Sequence, residues 1–274
     1  RIVCTYFRLM KKCLFIILLS IVASCNNSDN TKKNVADTLN DLTPYLQAQL
    51  KVADTATDVN KLLAIVDVLD SANKVSQAID VMNKVLASDS LNSNYWLRKG
   101  QLLKQTTDTP QAIKMFEYAT KIYADAPQLM EWANLLAETK NPKTLQITRV
   151  LRNNNPSKKY DAQANFFDGV YYAKTNNIDL ALKNFNEAIS RDYLLMDAYL
   201  EKGYLFYAQK KYAEALEVFK QATTANLRYA DGYYWQAKCM EALGKTTEAI
   251  ELYKQSLVLD KSIVEATEAL NRLQ

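Results

Sequence analysis

Between Tyr199 and Ala222, apolar and small residues recur among polar ones at helical spacing. Tyr199, Gly203 and Phe206 lie at offsets of 4 and 7, and so do Ala215, Phe219 and Ala222. Each set lines one face of an α-helix. The polar break Gln209-Lys210-Lys211 separates them, so the stretch reads as an antiparallel helix pair. A glycine inside a helix costs about 1 kcal/mol relative to alanine, so Gly203 calls for a compensating contact. The expectation is that the second helix crosses closely at Gly203 and Ala215, where a larger side chain would not fit, and that Phe219 fills the space beside the crossing.

One such pair cannot bury its own apolar face, and the pattern recurs. A shift of 34 residues toward the N-terminus finds Gly169, Tyr172, Ile178, Ala181, Phe185 and Ala188. The same shift toward the C-terminus finds Ala237, Met240, Thr246, Ala249, Tyr253 and Ser256. Trp96, Gly100, Leu103, Ala112, Phe116 and Ala119 keep the internal spacing, and Leu62, Val66, Leu69, Val75, Ala78, Met82 and Val85 form a weaker copy. The frames are 59–92, 93–126, 162–195, 196–229 and 230–263, with 127–161 as a degenerate unit marked by Trp132, Leu135, Leu145, Val150 and Leu151. A fixed period of this length signals a stack of identical supersecondary units.

These residues resemble the tetratricopeptide repeat family, whose helix-turn-helix unit carries aromatic, small and aromatic positions followed by alanine, aromatic and alanine. The resemblance covers residues 59–263. The proline common near the end of the family's unit is absent; Ser90, Ala124, Tyr193, Leu227 and Lys261 stand there. The unit 127–161 lacks the small-residue pair. The resemblance implies an all-α fold: a right-handed superhelical solenoid of antiparallel helix pairs, about six units long. Residues 37–57, with Leu39, Leu42, Leu46, Leu50 and Val52 and a break at Pro44, read as a helical lead-in over the first unit's open face. Residues 264–274 read as a capping helix, with Ala266, Leu270 and Leu273 packing on the last unit, since solenoids need a polar-faced end.

Composition changes the picture in three places. The 274 residues hold only 5 glycines and 5 prolines, which suits an all-helical chain. The net charge of +4 comes from Arg1, Arg8, Lys11 and Lys12. From Cys25 onward acids and bases balance at 30 each, leaving no basic field for nucleic acid. There is no histidine, which removes the commonest general base and metal ligand. No nucleophile elbow, phosphate loop, zinc-binding helix or paired-cysteine motif is present, so neither catalytic residues nor a cofactor or metal site is expected. Cys239 reads as a small buried residue.

The N-terminus carries its own signal. Lys11 and Lys12 precede an apolar run, Cys13 to Ile21, too short to span a membrane as a mature helix. It ends Val22-Ala23-Ser24-Cys25, which resembles the lipobox of bacterial lipoproteins. That resemblance implies a leader at 1–24 with its true start at Met10, cleavage before Cys25, and acylation of Cys25. Several acyl chains exceed what stable membrane attachment requires. An ordinary signal peptide cut near Ser24 is the alternative. Residues 26–36 are polar and read as a flexible tether, within a lead-in region 25–58. Asn26 in place of an aspartate implies sorting to the outer membrane, facing the periplasm.

In the family, positions 2, 5, 9 and 12 of each unit point into a concave groove. Here these are Asn60, Leu63, Asp67 and Asp70, then Asn94, Leu97, Gln101 and Lys104, then Gln163, Phe166, Val170 and Ala173. The last two units give Asp197, Leu200, Tyr204 and Tyr207, then Asp231, Tyr234, Lys238 and Glu241. The groove is polar at its N-terminal end and aromatic at its C-terminal end. Phe166, Leu200, Tyr204, Tyr207, Tyr234 and Lys238 are the candidate contacts for a partner, and exposed aromatics suit a peptide or protein. The lysines and asparagines with which some family members clamp acidic tails are missing at position 5. The resulting expectation is a non-enzymatic, lipid-anchored interaction scaffold or assembly factor of the bacterial envelope. The alternative is a glycan or small-ligand binder stacking sugars on the same aromatics.

Overall fold

The computed structural model describes residues 35–154 and 157–273. The leader and Cys25 lie outside them. All regular structure among the described residues is helical. The described chain divides into two compact units, one ending at Ala124 and the other starting at Asp125.

The first unit contains α1 (Val35–Thr55), α2 (Val59–Ser71), α3 (Val75–Ser88), α4 (Ser93–Leu103) and α5 (Thr109–Ile122). Asp58, Asn92 and Asp108 start α2, α4 and α5 by accepting backbone N–H bonds from the first turn. Leu46 and Ala53 of α1 enter one core with Leu62, Ile65, Val66 and Leu69 of α2 and Ala78, Val81, Met82 and Val85 of α3. Lys84 ties down the end of α1, donating to the Ala53 carbonyl at 3.1 Å and to Asp54 at 2.8 Å. α1 runs unbroken through Pro44, where the sequence predicts a break. Pro44 is exposed, so water can take the carbonyl bond that its missing N–H forfeits.

The second unit contains α6 (Ala126–Glu138), α7 (Lys143–Asn153), α8 (Asp161–Lys174), α9 (Ile178–Arg191), α10 (Met196–Ala208), α11 (Tyr212–Ala225), α12 (Ala230–Ala242), α13 (Thr246–Leu259) and α14 (Val264–Leu273). The helices pair in sequence order, and α14 closes the stack. Ala266 and Ala269 of α14 are buried with Ala249, Tyr253 and Ile263, and Leu270 and Leu273 pack at the margin.

The small and aromatic positions meet inside each pair. Phe185 and Phe219, with their flanking alanines, are fully buried, and in the first unit so is Phe116. A Cβ built on Gly169 would stand 2.6 Å from the Phe185 ring, and one on Gly203 would overlap the Phe219 ring. The glycine space is therefore occupied by the aromatic ring of the second helix. Ala215 contributes its smallness to the same core without being the contact that excludes a side chain at Gly203.

In five of the six pairs the turn has one geometry, α4–α5 being the exception. Asn73, Lys140, Asn176, Lys210 and Gly244 have φ of 57, 59, 62, 60 and 77°. The next residue's N–H donates to the carbonyl five residues back, as from Lys211 to Phe206 at 2.9 Å and from Asn177 to Tyr172 at 2.8 Å. This left-handed ending closes the first helix's free carbonyls. Four of the five positions are not glycine, and each such residue carries a steric cost of about 1–2 kcal/mol.

The pair α6–α7 departs from the rest. Trp132 and Leu135 are buried as expected, whereas α7 buries Thr144, Ile147, Thr148 and Leu151 and leaves Leu145 and Val150 only half-buried. Thr148 donates to Asp168 of α8 at 2.6 Å, and Arg152 bridges Asp168 at 2.6 Å and Asn165 at 2.7 Å. A polar joint replaces the small-residue contact. Burial raises the Asp168 carboxyl above its ordinary range, against the opposing pull of Thr148 and Arg152.

Candidate functional site

In the second unit α8, α10 and α12 carry the residues expected to face a groove. Helical spacing puts Leu200, Tyr204 and Tyr207 on one face of α10 and Tyr234 and Lys238 on one face of α12. The structure joins the two faces through a residue that the groove positions leave out. The Trp235 ring lies 4.5 Å from Tyr204, 5.4 Å from Tyr207, 5.5 Å from Tyr234 and 5.8 Å from Phe219. Tyr234 continues the series to Tyr253 at 5.8 Å, and Tyr207 to Tyr212 at 5.1 Å. Tilted and edge-to-face contacts at these separations each add about 0.5–1.5 kcal/mol beyond burial.

Tyr204, Tyr207, Tyr234 and Lys238 are half-buried, each with one side packed and one open. Leu200 is buried at 9% exposure and forms the floor between them. Phe166, expected on the open face, is buried at 4% against Phe167 and Phe185 and offers no free ring. Tyr204 also sits 6.2 Å from Phe219. Truncating it would therefore disturb the core of its own pair, contrary to the sequence-based expectation of a free ring. Burial raises the Tyr204 hydroxyl well above its ordinary range, with help from Asp231 and Glu201 nearby.

Toward the C-terminus the face opens into a cavity of about 440 Å³ lined by Tyr234, Lys238, Tyr253, Glu265, Glu268, Ala269 and Arg272. Its far wall is α14, held by Glu241, which accepts from Arg272 at 2.8 Å and from the Tyr253 hydroxyl at 2.9 Å. In the first unit a separate cavity of about 310 Å³ is lined by Leu63, Asp67, Asn94, Tyr95, Leu97, Arg98 and Gln101. Five of those seven stand at the expected groove positions. Arg98, which does not, is clamped by Asp67 at 2.7 Å and Asp70 at 3.0 Å.

Carboxylates border the aromatic surface on its other side. Glu201 of α10 is held up to about 7 by burial, then by Glu138 and Asp197, against the opposing charge of Lys174. Asp197 is raised by burial. Lys174 is committed to Glu138 at 2.8 Å. The remaining thiol, Cys239, is buried, and burial pushes it up to about 12, which leaves it unreactive near neutral pH.

A family profile described as tetratricopeptide repeat matches residues 168–226 and 200–262. No characterised protein matches the chain by sequence. Among solved structures, a tetratricopeptide repeat protein from Parabacteroides merdae superposes with a TM-score of 0.62 at 14% identity, over 86% of this chain and 96% of that one. PilW, a type IV pilus biogenesis factor, gives 0.58 at 18% identity, over 80% and 99%. The C-terminal part of a repeat-containing protein from Cytophaga hutchinsonii gives 0.52 at 18%, over 76% and 83%. At these identities the likeness is one of fold.

Proposed function

Residues 168–262 are tetratricopeptide repeats, and from that premise we propose that the chain is a non-catalytic scaffold that holds a partner segment on the first-helix face of its second unit. The observation that carries this is the half-open aromatic row Tyr204–Trp235–Tyr234, continued by Lys238 and the adjoining cavity. Rings packed on one side and wet on the other are pre-organised, so a partner gains contact area with little loss of side-chain freedom. Tyr207 is a better probe than Tyr204 or Tyr234, because Tyr204 rests on the fully buried Phe219 and Tyr234 on the fully buried Tyr253.

A photo-crosslinking residue at Lys238 is expected to capture the native partner, and one at the exposed Glu217 of α11 is not. Tyr207→Ala should weaken that capture by about 2 kcal/mol or more, since few residues dominate such surfaces, while thermal stability changes much less. Equal capture from both positions would remove the reading.

The finer reading is a lipid-anchored assembly factor of the bacterial envelope, at the outer membrane and facing the periplasm. Its support is the sequence Val22-Ala23-Ser24-Cys25 behind a short apolar run. PilW, a pilus biogenesis factor, is built on the same fold. Among the described residues no helix is long and apolar enough to cross a membrane. In this reading acyl chains on Cys25 supply the attachment. Cys25→Ser is expected to abolish labelling by fatty-acid analogues and to leave the chain uncut or released from membranes. Undiminished labelling in that variant would end the lipoprotein reading.

A further inference from the structure

We propose that the cavity between α12, α13 and α14 seats a short peptide of two or three residues, held by a positive group at one end and a negative group at the other. The proposal rests on the reading of this face as a binding surface and gives its C-terminal end a ligand; the test below separates the two.

The sequence sets charges of opposite sign at fixed heights around the cavity. Arg272 of α14 stands one 34-residue period after Lys238 of α12, so the two cations share a level in the stack. Glu268 and Glu265 precede Arg272 by four and seven residues, which puts all three on one face of α14. With a rise of about 1.5 Å per residue, the carboxylates lie about 6 and about 10 Å from Arg272 along the helix axis. All four side chains line the same cavity of about 440 Å³.

The charges do not neutralise one another across it. The side chains of Lys238, Glu265 and Glu268 make no hydrogen bond or ion pair with any described residue, and Lys238 is half-buried. Arg272 donates to Glu241 through one terminal nitrogen at 2.8 Å. Its other N–H groups have no partner among the described residues. Glu241 also accepts from the Tyr253 hydroxyl at 2.9 Å, so the guanidinium is fixed at the cavity edge. Between the charged ends lie Tyr234 and the fully buried Tyr253, their rings 5.8 Å apart.

An acidic end and a basic end on either side of an aromatic floor complement a zwitterion of matching length. An extended chain advances about 3.4 Å per residue. Two or three residues therefore bring an ammonium group to Glu265 and Glu268 and a carboxylate to Lys238 and Arg272. A side chain between them lies against the tyrosines. The cavity has the size of small-molecule sites, about 300–1,000 Å³. A run of acids is disfavoured, because Glu265 and Glu268 would repel it.

The test is calorimetry on the purified full chain with the tripeptide Ala-Phe-Ala in four forms: both ends free, the amine acetylated, the carboxylate amidated, and both ends blocked. The free form is expected to bind, more weakly as salt rises, and each single block to weaken it about tenfold or more. Lys238→Gln should erase the difference between carboxylate and amide. Glu265→Gln with Glu268→Gln should erase the difference between ammonium and acetyl. Lys220→Gln, on the exposed side of α11, should change neither, and the melting temperature should hold in all three variants. An acetylated longer peptide ending in Lys-Phe-Ala carries the same two charges; binding as tight as that of the free tripeptide would keep the seat and assign it to a chain end. Equal binding of the free and doubly blocked forms would overturn the seat, as would equal losses from Lys220→Gln and Lys238→Gln. Failure of every peptide while the partner still crosslinks at Lys238 would overturn this ligand and leave the partner face standing.

Discussion

Phe219→Ala is expected to lower the stability of the second unit by about 3–5 kcal/mol. The ring is fully buried. It fills the space left by Gly203 and stacks on Trp235 at 5.8 Å, with Tyr204 at 6.2 Å. No neighbour can fill that void cheaply. Gly203 has no side chain to extend, and moving Tyr204 or Trp235 would break the aromatic row. In a stack of repeats each pair is stabilised mainly by its neighbours. The loss should therefore appear first as faster amide exchange in α10 to α14, with α8 and α9 less affected. Uniform loss of protection from α6 to α14 would show that the unit melts as one block instead.

Phe219 and Gly203 were legible in the sequence because a large and a small residue recurring at one period have a single economical explanation, contact. The turn residues were not. Asn73, Lys140, Asn176 and Lys210 adopt left-handed backbone without the glycine that would announce it, because the hydrogen bond that closes the helix outweighs the strain. The core of α7 was hidden for a related reason. A search for apolar spacing passes over Thr144 and Thr148, whose hydroxyls are satisfied at 2.7 Å by Asn141 and at 2.6 Å by Asp168. On the candidate face, family positions located Tyr204, Tyr207, Tyr234 and Lys238. They missed Trp235 by one residue and placed Phe166 in the open. Trp235 escapes such a rule because it bridges two first helices, and Phe166 misleads it because Phe167 and Phe185 close over the ring. Glu201 carried no signal at all: a single glutamate on an amphipathic helix reads as solvated until its neighbours are known.

Glu201 should make stability fall as pH rises through the neutral range, and Glu201→Gln should abolish most of that fall. Burial, then Glu138 and Asp197, lift its carboxyl from an ordinary 4.5 to about 7 against the pull of Lys174. Asp231 of α12, Tyr229 just before that helix and Tyr204 of α10 itself face the same cluster and supply no positive charge. Below about pH 4.5 both folded and unfolded chains hold the proton, and stability is at its full value. Between about 4.5 and 7 the unfolded chain has released the proton while the folded chain keeps it, so unfolding is increasingly favoured. Above about 7 the loss is complete, at about 3 kcal/mol for a shift of this size. Asp197 and Asp168 are shifted in the same direction and add to the slope. With no histidine in the chain, the usual source of pH dependence in this window is missing, so the effect can be assigned. Melting temperatures from pH 5 to 8 should decline for the native chain and stay nearly level for Glu201→Gln, with the variant the more stable of the two at pH 8. Parallel curves would mean that Glu201 is solvated and ionised throughout.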